Sequence, residues 1–255
     1  MIKRAIVTPD KHAPLADMAA IKVVCKAIEL CKPDIYIDLG DTVEGDAFSH
    51  WKWKRKKKPP LEYIQPDMDK ELKEVNKLMD IIDYSLDKVD CKERHFCQGN
   101  HELWLDQFVD EHPYLPQYKT ENALKLDKRG YEFHPYNRKK LLKIGRLRFT
   151  HGKFTSKYHA FKHLDVYGKS VMYGHTHDLQ RHSKTYEDGT ISAWSLGCLK
   201  DIEMDEDWLG GRLTNWNHAF AIVDVYKNDD FNVQVVEIIN GKTTLWGELI
   251  DGSKQ

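Results

Sequence analysis

Five short motifs built from Asp, Asn and His beside Gly stand in order along the chain: Asp10-Lys11-His12, Gly40-Asp41, Gly99-Asn100-His101-Glu102, His151-Gly152 and Gly174-His175-Thr176-His177. These are side chains that bind divalent metals. Asp10 and His12, like His175 and His177, lie two residues apart, and on an extended segment such pairs point to the same side, where they can grip a common centre. Hard carboxylate and amide oxygens mixed with imidazoles suit Mn, Fe or Zn better than calcium. No cysteine belongs to the set, which argues against a structural zinc knuckle. One such motif alone is weak; five in order are not chance.

The elements that must position these motifs are legible from periodicity. Ile2–Val7 reads as a strand, Leu15–Leu30 as a helix of about four turns ended by Lys32-Pro33-Asp34, and Ile35–Gly40 as a second strand. This βαβ crossover puts Asp10 and Asp41 at the carboxyl ends of neighbouring parallel strands, the edge of a sheet where ligands bind. Glu62–Lys88 reads as a helix after Pro59-Pro60, Glu93–Cys97 as a third strand delivering the Gly99 motif, and 101–126 as helix and loop. Strands are then expected at Gly130–His134, Arg138–Ile144, Arg146–Thr150, Ser170–Tyr173, Leu179–Tyr186, Thr190–Ser195, Phe220–Tyr226 and Phe231–Ile239. Lys227–Asp230 is the hairpin turn between the last two. A βαβ half followed by a meander half predicts two packed sheets with helices outside.

With these blocks in place, the chain resembles the calcineurin-like metallophosphoesterase superfamily, whose signature is D-x-H, G-D, G-N-H-[DE], H and G-H-x-H in that order. All five blocks are present between residues 10 and 177, about two thirds of the chain. The resemblance implies an α/β (α+β) fold, the calcineurin-like four-layer sandwich of two mixed β-sheets flanked by helices. It also implies that Asp10, His12 and His177 hold one metal, that Asn100, His151 and His175 hold the other, and that Asp41 bridges the two. His101 would stand beside the leaving oxygen as proton donor or charge partner. Residues 146–178 look closest to members from phages and prophages. Many members carry G-D-x-x-[DN] where this chain has Gly40-Asp41-Thr42-Val43-Glu44, so the role of Glu44 is open, with Asp46 as a substitute.

Physical logic supports those roles. Two ions about 3.5–4 Å apart need a shared anionic oxygen, which a short carboxylate such as Asp41 supplies, and they lower the pKa of a bridging water until hydroxide exists near neutral pH. In-line attack then develops charge on the leaving oxygen, which an imidazolium such as His101 neutralises. The expected activity is hydrolysis of a phosphate ester by that metal-bridging hydroxide, with a phosphodiester of nucleotide or nucleic-acid type favoured. The alternatives are a phosphomonoesterase or protein phosphatase, and a non-catalytic nucleic-acid-binding protein on the same fold. The cofactors would be two divalent ions, manganese favoured, with Fe, Zn, Ni and Mg acceptable to the same ligands.

The composition sets the remaining bounds. The 255 residues carry 39 Lys plus Arg against 40 Asp plus Glu, a formal charge of −1, so no global field argues for nucleic acid or an anionic membrane. With 41% hydrophobic residues and nine prolines, the chain reads as one globular domain over 1–255 with a basic, tryptophan-rich insertion at about 46–60. That insertion, Trp51–Lys58, holds the densest run of charge, and its cations interleaved with Trp51 and Trp53 could hold a nucleotide or single strand; a solvated loop with the tryptophans tucked beneath it is the more frequent outcome. Five cysteines without a C-x-x-C pair, no signal-peptide core and no apolar run of roughly 20 residues predict a cytoplasmic protein without membrane contact. His159 and His163, at i and i+4, read as a helix packed under the site. Trp104, Leu105 and Phe108 read as core, Asn215–His218 as a turn, and Trp208 fits no pattern.

Overall fold

A computed structural model describes residues 2–54, 57–136, 139–204 and 209–254. Thirteen strands and six helices follow one another as β1 (Lys3–Thr8), α1 (Met18–Cys31), β2 (Ile35–Asp38), α2 (His50–Trp53), α3 (Leu61–Lys88), β3 (Glu93–Cys97), α4 (Asn100–Glu111), α5 (Thr120–Ala123), β4 (Tyr131–His134), β5 (Leu142–Ile144), β6 (Leu147–Phe149), α6 (His159–Tyr167), β7 (Val171–Tyr173), β8 (Leu179–Tyr186), β9 (Gly189–Leu196), β10 (His218–Val225), β11 (Phe231–Ile238), β12 (Lys242–Leu245) and β13 (Glu248–Asp251), among the described residues. A six-stranded sheet runs β11-β10-β1-β2-β3-β4 and a five-stranded sheet β5-β6-β7-β9-β8, with β12-β13 as a separate hairpin. Both large sheets are mixed: β1 to β4 are parallel while β10 is antiparallel to β1, and β6, β7 and β9 are parallel while β5 and β8 are antiparallel.

Alternation of side chains makes four layers. One face of the first sheet, with Ile6, Tyr36, Phe96 and Phe220, packs under Ile21, Val24 and Ile28 of α1 and Met68, Val75 and Met79 of α3. The opposite face, with Ala5, Val7, Ile35 and Ile37, meets Leu147, Phe149, Met172 and Leu196 of the second sheet. The outer face of that sheet is covered by Ala160 and Leu164 of α6. β1, β2 and β10, at the centre of the first sheet, are buried on both faces over most of their length and read as near-continuous apolar runs.

The chain halves do not map onto the two sheets as the order of elements suggested. β10 and β11 return to the first sheet, where the fully apolar centre of β10 fills the free edge of β1 (Ala5 opposite Val223). α1 begins three residues later than its apolar spacing implies because the Asp17 side chain accepts from the N–H groups of Ala19 and Ala20 and caps it there. The strand expected from Arg138 covers only Leu142–Ile144, and Arg138 itself lies outside the described residues. Among the described residues, no helix is long and apolar enough to cross a membrane.

The consequence for function is positional. β1, β2 and β3 are parallel neighbours in one sheet and β6 and β7 in the other. Each of the five motifs follows the carboxyl end of one of them, so the two sheets deliver all five to one edge.

His163 of α6 stacks on Tyr173 with ring centroids 3.7 Å apart, donates from Nδ1 to the His159 carbonyl and accepts the Lys153 N–H at Nε2. Burial, reinforced by the nearby His159 and His151, pushes it down to about 4, since a proton on Nε2 would break the Lys153 bond. The unfolded imidazole takes its proton below about 6.5, so the unfolded state binds more protons between there and about 4, and stability falls as pH drops through that window. In chelator, His163→Gln, which keeps an acceptor for Lys153, should remove up to about 3 kcal/mol of the wild-type loss between neutral pH and the acid limit, read by urea unfolding at each pH. An unchanged pH slope would contradict this.

Candidate metal centre

Asp10 is fully buried, and its carboxylate accepts the His175 N–H, tying the loop after β7 to the loop after β1. Gly174 makes that approach: a Cβ there would lie 2.0 Å from Asp10 Oδ2. Asp10 Oδ1 is 3.6 Å from His177 Nε2, which is 3.0 Å from His12 Nε2. The second group forms around His151. Its Nδ1 donates to the Leu39 carbonyl, which turns Nε2 toward Asn100 Oδ1 at 3.0 Å, Asp41 Oδ2 at 3.1 Å and His175 Nδ1 at 3.1 Å. Asp41 Oδ2 also lies 3.9 Å from His12 Nε2, so one carboxylate oxygen stands between the two groups.

The backbone that presents these atoms is not the extended one expected of D-x-H and H-x-H. His12, Asp41, His175 and His177 all have φ between 47° and 73°. A left-handed conformation at non-glycine residues costs of order 1–3 kcal/mol each and clusters at functional sites; Asp and His tolerate it better than most. The pairs therefore converge by tight turns after the strands rather than by pleating.

Electrostatics fit cations in both positions. Three acceptor atoms face His151 Nε2, more than one ring nitrogen can satisfy. Burial opposes charge on this ring, but the Asp41 and Asp10 carboxylates overcome it and push His151 up to about 9, the mark of a local field that favours positive charge. Asp41, although buried, is held well below the usual carboxylate range by His151 and His101. Burial and the surrounding imidazoles push His12 well down and His175 to about 4, leaving both neutral and able to ligate. Asp10, His12 and His177 form one group able to hold a divalent ion, and Asp41, His151 and His175 another.

His101 stands at the rim. Its Nδ1 donates to the Glu44 carbonyl, its ring lies against Trp104 at 4.1 Å, and its N–H is held by Asp41 Oδ1, leaving Nε2 3.8 Å from Asp41 Oδ2. Trp104 is therefore a wall for His101 as well as a neighbour of the core residues Leu105 and Phe108. Glu44 Oε2 lies 2.9 Å from His12 Nδ1, although the ring nitrogen is not aligned for a hydrogen bond, and 3.1 Å from the buried Lys200 Nζ. Glu44 thus sits behind His12, and the exposed Asp46, paired with Lys52, does not take that place.

Glu102 is the residue whose role sequence reasoning passed over. Its fully buried carboxylate accepts four backbone N–H groups: Gly99 and Asp41 at Oε2, Thr42 and Val43 at Oε1. Burial and the Asp41 charge push it up to about 7 against those donors. Its position three residues after Gly99, at the start of α4, is the signal that was available. Lys200 and Trp216, whose ring meets His177 at 4.8 Å, gave no such signal. The segment read as a turn thus adds an aromatic wall. His159 and His163 are buried in α6, held by Tyr173 and Asp178 and by the Lys153 backbone, apart from both ligand groups.

In the basic run, Lys52 lies over the half-buried Trp53 and Lys58 over Phe108, both engaged with the protein itself. Arg55, Lys56, Trp208 and the side chain of Trp51 lie outside the described residues.

No protein-family model and no curated protein matches the chain. Among solved structures it is similar to Vps29 from Entamoeba histolytica complexed with Zn²⁺ (13% identity, TM-score 0.49, 98% of this chain and 99% of that one). It is also similar to a dimetal phosphatase from Danio rerio (13%, 0.44, 92% and 95%) and to the purple acid phosphatase PPD1 from yellow lupin (11%, 0.48, 98% and 53%). At TM-scores below 0.5 these likenesses carry no weight for what this chain does, and the site is read from its own residues.

Glu102→Gln turns an amide N–H₂ toward converging N–H donors and strands at least one of them. It should cost about 2–4 kcal/mol, a fall of roughly 5–15 °C in melting temperature, and weaken metal binding by releasing Asp41. Differential scanning calorimetry with and without manganese checks this; a wild-type melting temperature would contradict it.

Proposed function

We propose that this protein is a dimetal-dependent phosphoesterase of the calcineurin-like kind, with residues 1–255 forming one catalytic unit and phosphodiesters as its preferred substrates. The observation that carries the reading is the placement of Asp41: one carboxylate oxygen stands between the two ligand groups while the other fixes the backbone of His101. Asp10, His12, His177 and Asp41 would hold one ion, and Asp41, Asn100, His151 and His175 the other. Bound there, two divalent cations supply Lewis-acid neutralisation at phosphorus and a water ionised near neutral pH.

The chain's own residues do the rest. The Nδ1–H of His101 is committed to the Glu44 carbonyl, which turns Nε2 toward the centre; as an imidazolium the ring would give its Nε2 proton to the leaving oxygen, and no covalent phosphoenzyme is needed. Beside His175 and His177 opens a cavity of about 900 Å³, far larger than one phosphate group, lined by Lys157, Tyr158, Phe161, Arg181 and Trp216. Cations for a second anionic group and exposed aromatic faces for a base support the preference for a nucleotide or nucleic-acid diester. The likeness to phage and prophage members rests on residues 146–178 alone.

Chelator-stripped protein refilled with Mn, Ni, Zn or Mg should hydrolyse bis-p-nitrophenyl phosphate faster than p-nitrophenyl phosphate, and His101→Ala should lower kcat about 10²–10⁴-fold while still binding metal. Monoester-only turnover would make it a phosphatase. No turnover in any metal would overturn the enzymatic reading in favour of a binding role, and full activity in His101→Ala would remove that residue from the mechanism.

A further inference from the structure

Away from this centre, β3 and β4 each carry an E-x-H tripeptide, Glu93-Arg94-His95 and Glu132-Phe133-His134. The strands are parallel neighbours with His95 opposite Glu132, so strand alternation puts Glu93, His95, Glu132 and His134 on one face while Phe133 turns to the core. β4 is the edge of its sheet, and this face opens into a cavity of about 540 Å³ beneath β5. Here His95 Nδ1 is 3.0 Å from His134 Nε2, and the Glu132 carboxylate leans over both rings, with Oε2 3.5 Å from His95 Nδ1 and Oε1 3.8 Å from His134 Nε2. Ligands on metal arms of about 2.0–2.1 Å in a tetrahedron stand about 3.3 Å apart, close to these separations.

The geometry points to a second, independent metal site for a borderline divalent cation, zinc foremost, held by His95 Nδ1, His134 Nε2 and a Glu132 oxygen. Glu93 completes the arrangement. Its Oε1 lies 3.4 Å from His95 Nε2, where a carboxylate holds the proton on that nitrogen and leaves Nδ1 as a lone pair, the usual partner of a metal-bound imidazole. The same carboxylate pairs with Lys3 through its other oxygen, which anchors it. Without metal, a shared proton between the two imidazoles satisfies both rings; a cation replaces that proton and adds Glu132. Three protein ligands leave one position open toward the cavity, and the ion would clip the edge strand β4 to β3.

The test is a count of zinc bound to chelator-stripped full-length protein by equilibrium dialysis at micromolar free zinc. Wild type should hold one more zinc per chain than His134→Ala or Glu132→Gln; the exposed Glu132→Gln should melt with wild type in chelator, while His134→Ala, which leaves the buried His95 Nδ1 without its partner, should melt lower. Glu93→Gln should retain the ion about 10–100-fold more weakly. Asp41→Ala should lose metal from the other centre and keep this one, so failure here and failure of the phosphoesterase reading are separable. Equal zinc counts in wild type, His134→Ala and Glu132→Gln would overturn the proposal.

Discussion

Four backbone N–H groups from the turns after β2 and β3 converge on the buried carboxylate of Glu102, and the position of Asp41 follows from them. Asp41 sits at φ 47°, and Gly40 presses so close that a Cβ would lie 2.3 Å from the Cys97 carbonyl. The N–H groups there would be orphaned without an internal acceptor, and leaving one buried and unpaired costs about 1–3 kcal/mol. One ionisable group therefore binds the loops of two neighbouring strands into a rigid base. From that base Asp41 reaches both ligand groups and His101 at once.

The same logic of compensation runs through the charges. Asp10 and Asp41 bring negative charge into a buried edge where imidazoles crowd, and their field pushes His151 up. Such a cluster is costly for a fold that needs no cation, because buried charges and surplus acceptors destabilise it unless paired. The buried ion pair of Lys11 with Asp38 at 2.8 Å, by contrast, is closed: Lys11 reaches the Pro9 carbonyl and the Thr42 hydroxyl as well, and it supports the loops from below. The difference between a satisfied buried charge and an oversupplied set of acceptors is what marks the site.

Much of this was legible in the sequence, for reasons that differ by element. β3 and β8 fall where the sequence put them, and α3 begins one residue early with Ile64, Met68, Leu72, Val75 and Met79 buried at helical spacing. The pairing of β10 with β1 was not legible, since more than 200 residues separate Lys3 from Val225 and no local pattern encodes the choice. The short β12-β13 hairpin, turning at Trp246-Gly247, gave too little apolar alternation to be seen. The residue types of the site were readable and their order informative. The left-handed turns at His12, Asp41, His175 and His177 were not, nor was the meeting of Glu44 with Lys200, because both depend on tertiary closure.

If Asp41 joins two metal ions into one centre, as proposed, electron paramagnetic resonance of the manganese-loaded protein will read the bridge. A carboxylate-bridged pair should give an exchange-coupled multiline spectrum, which Asp41→Ala converts to isolated ions or loses. Magnetically isolated manganese in the wild type, at any loading, would contradict a bridging Asp41.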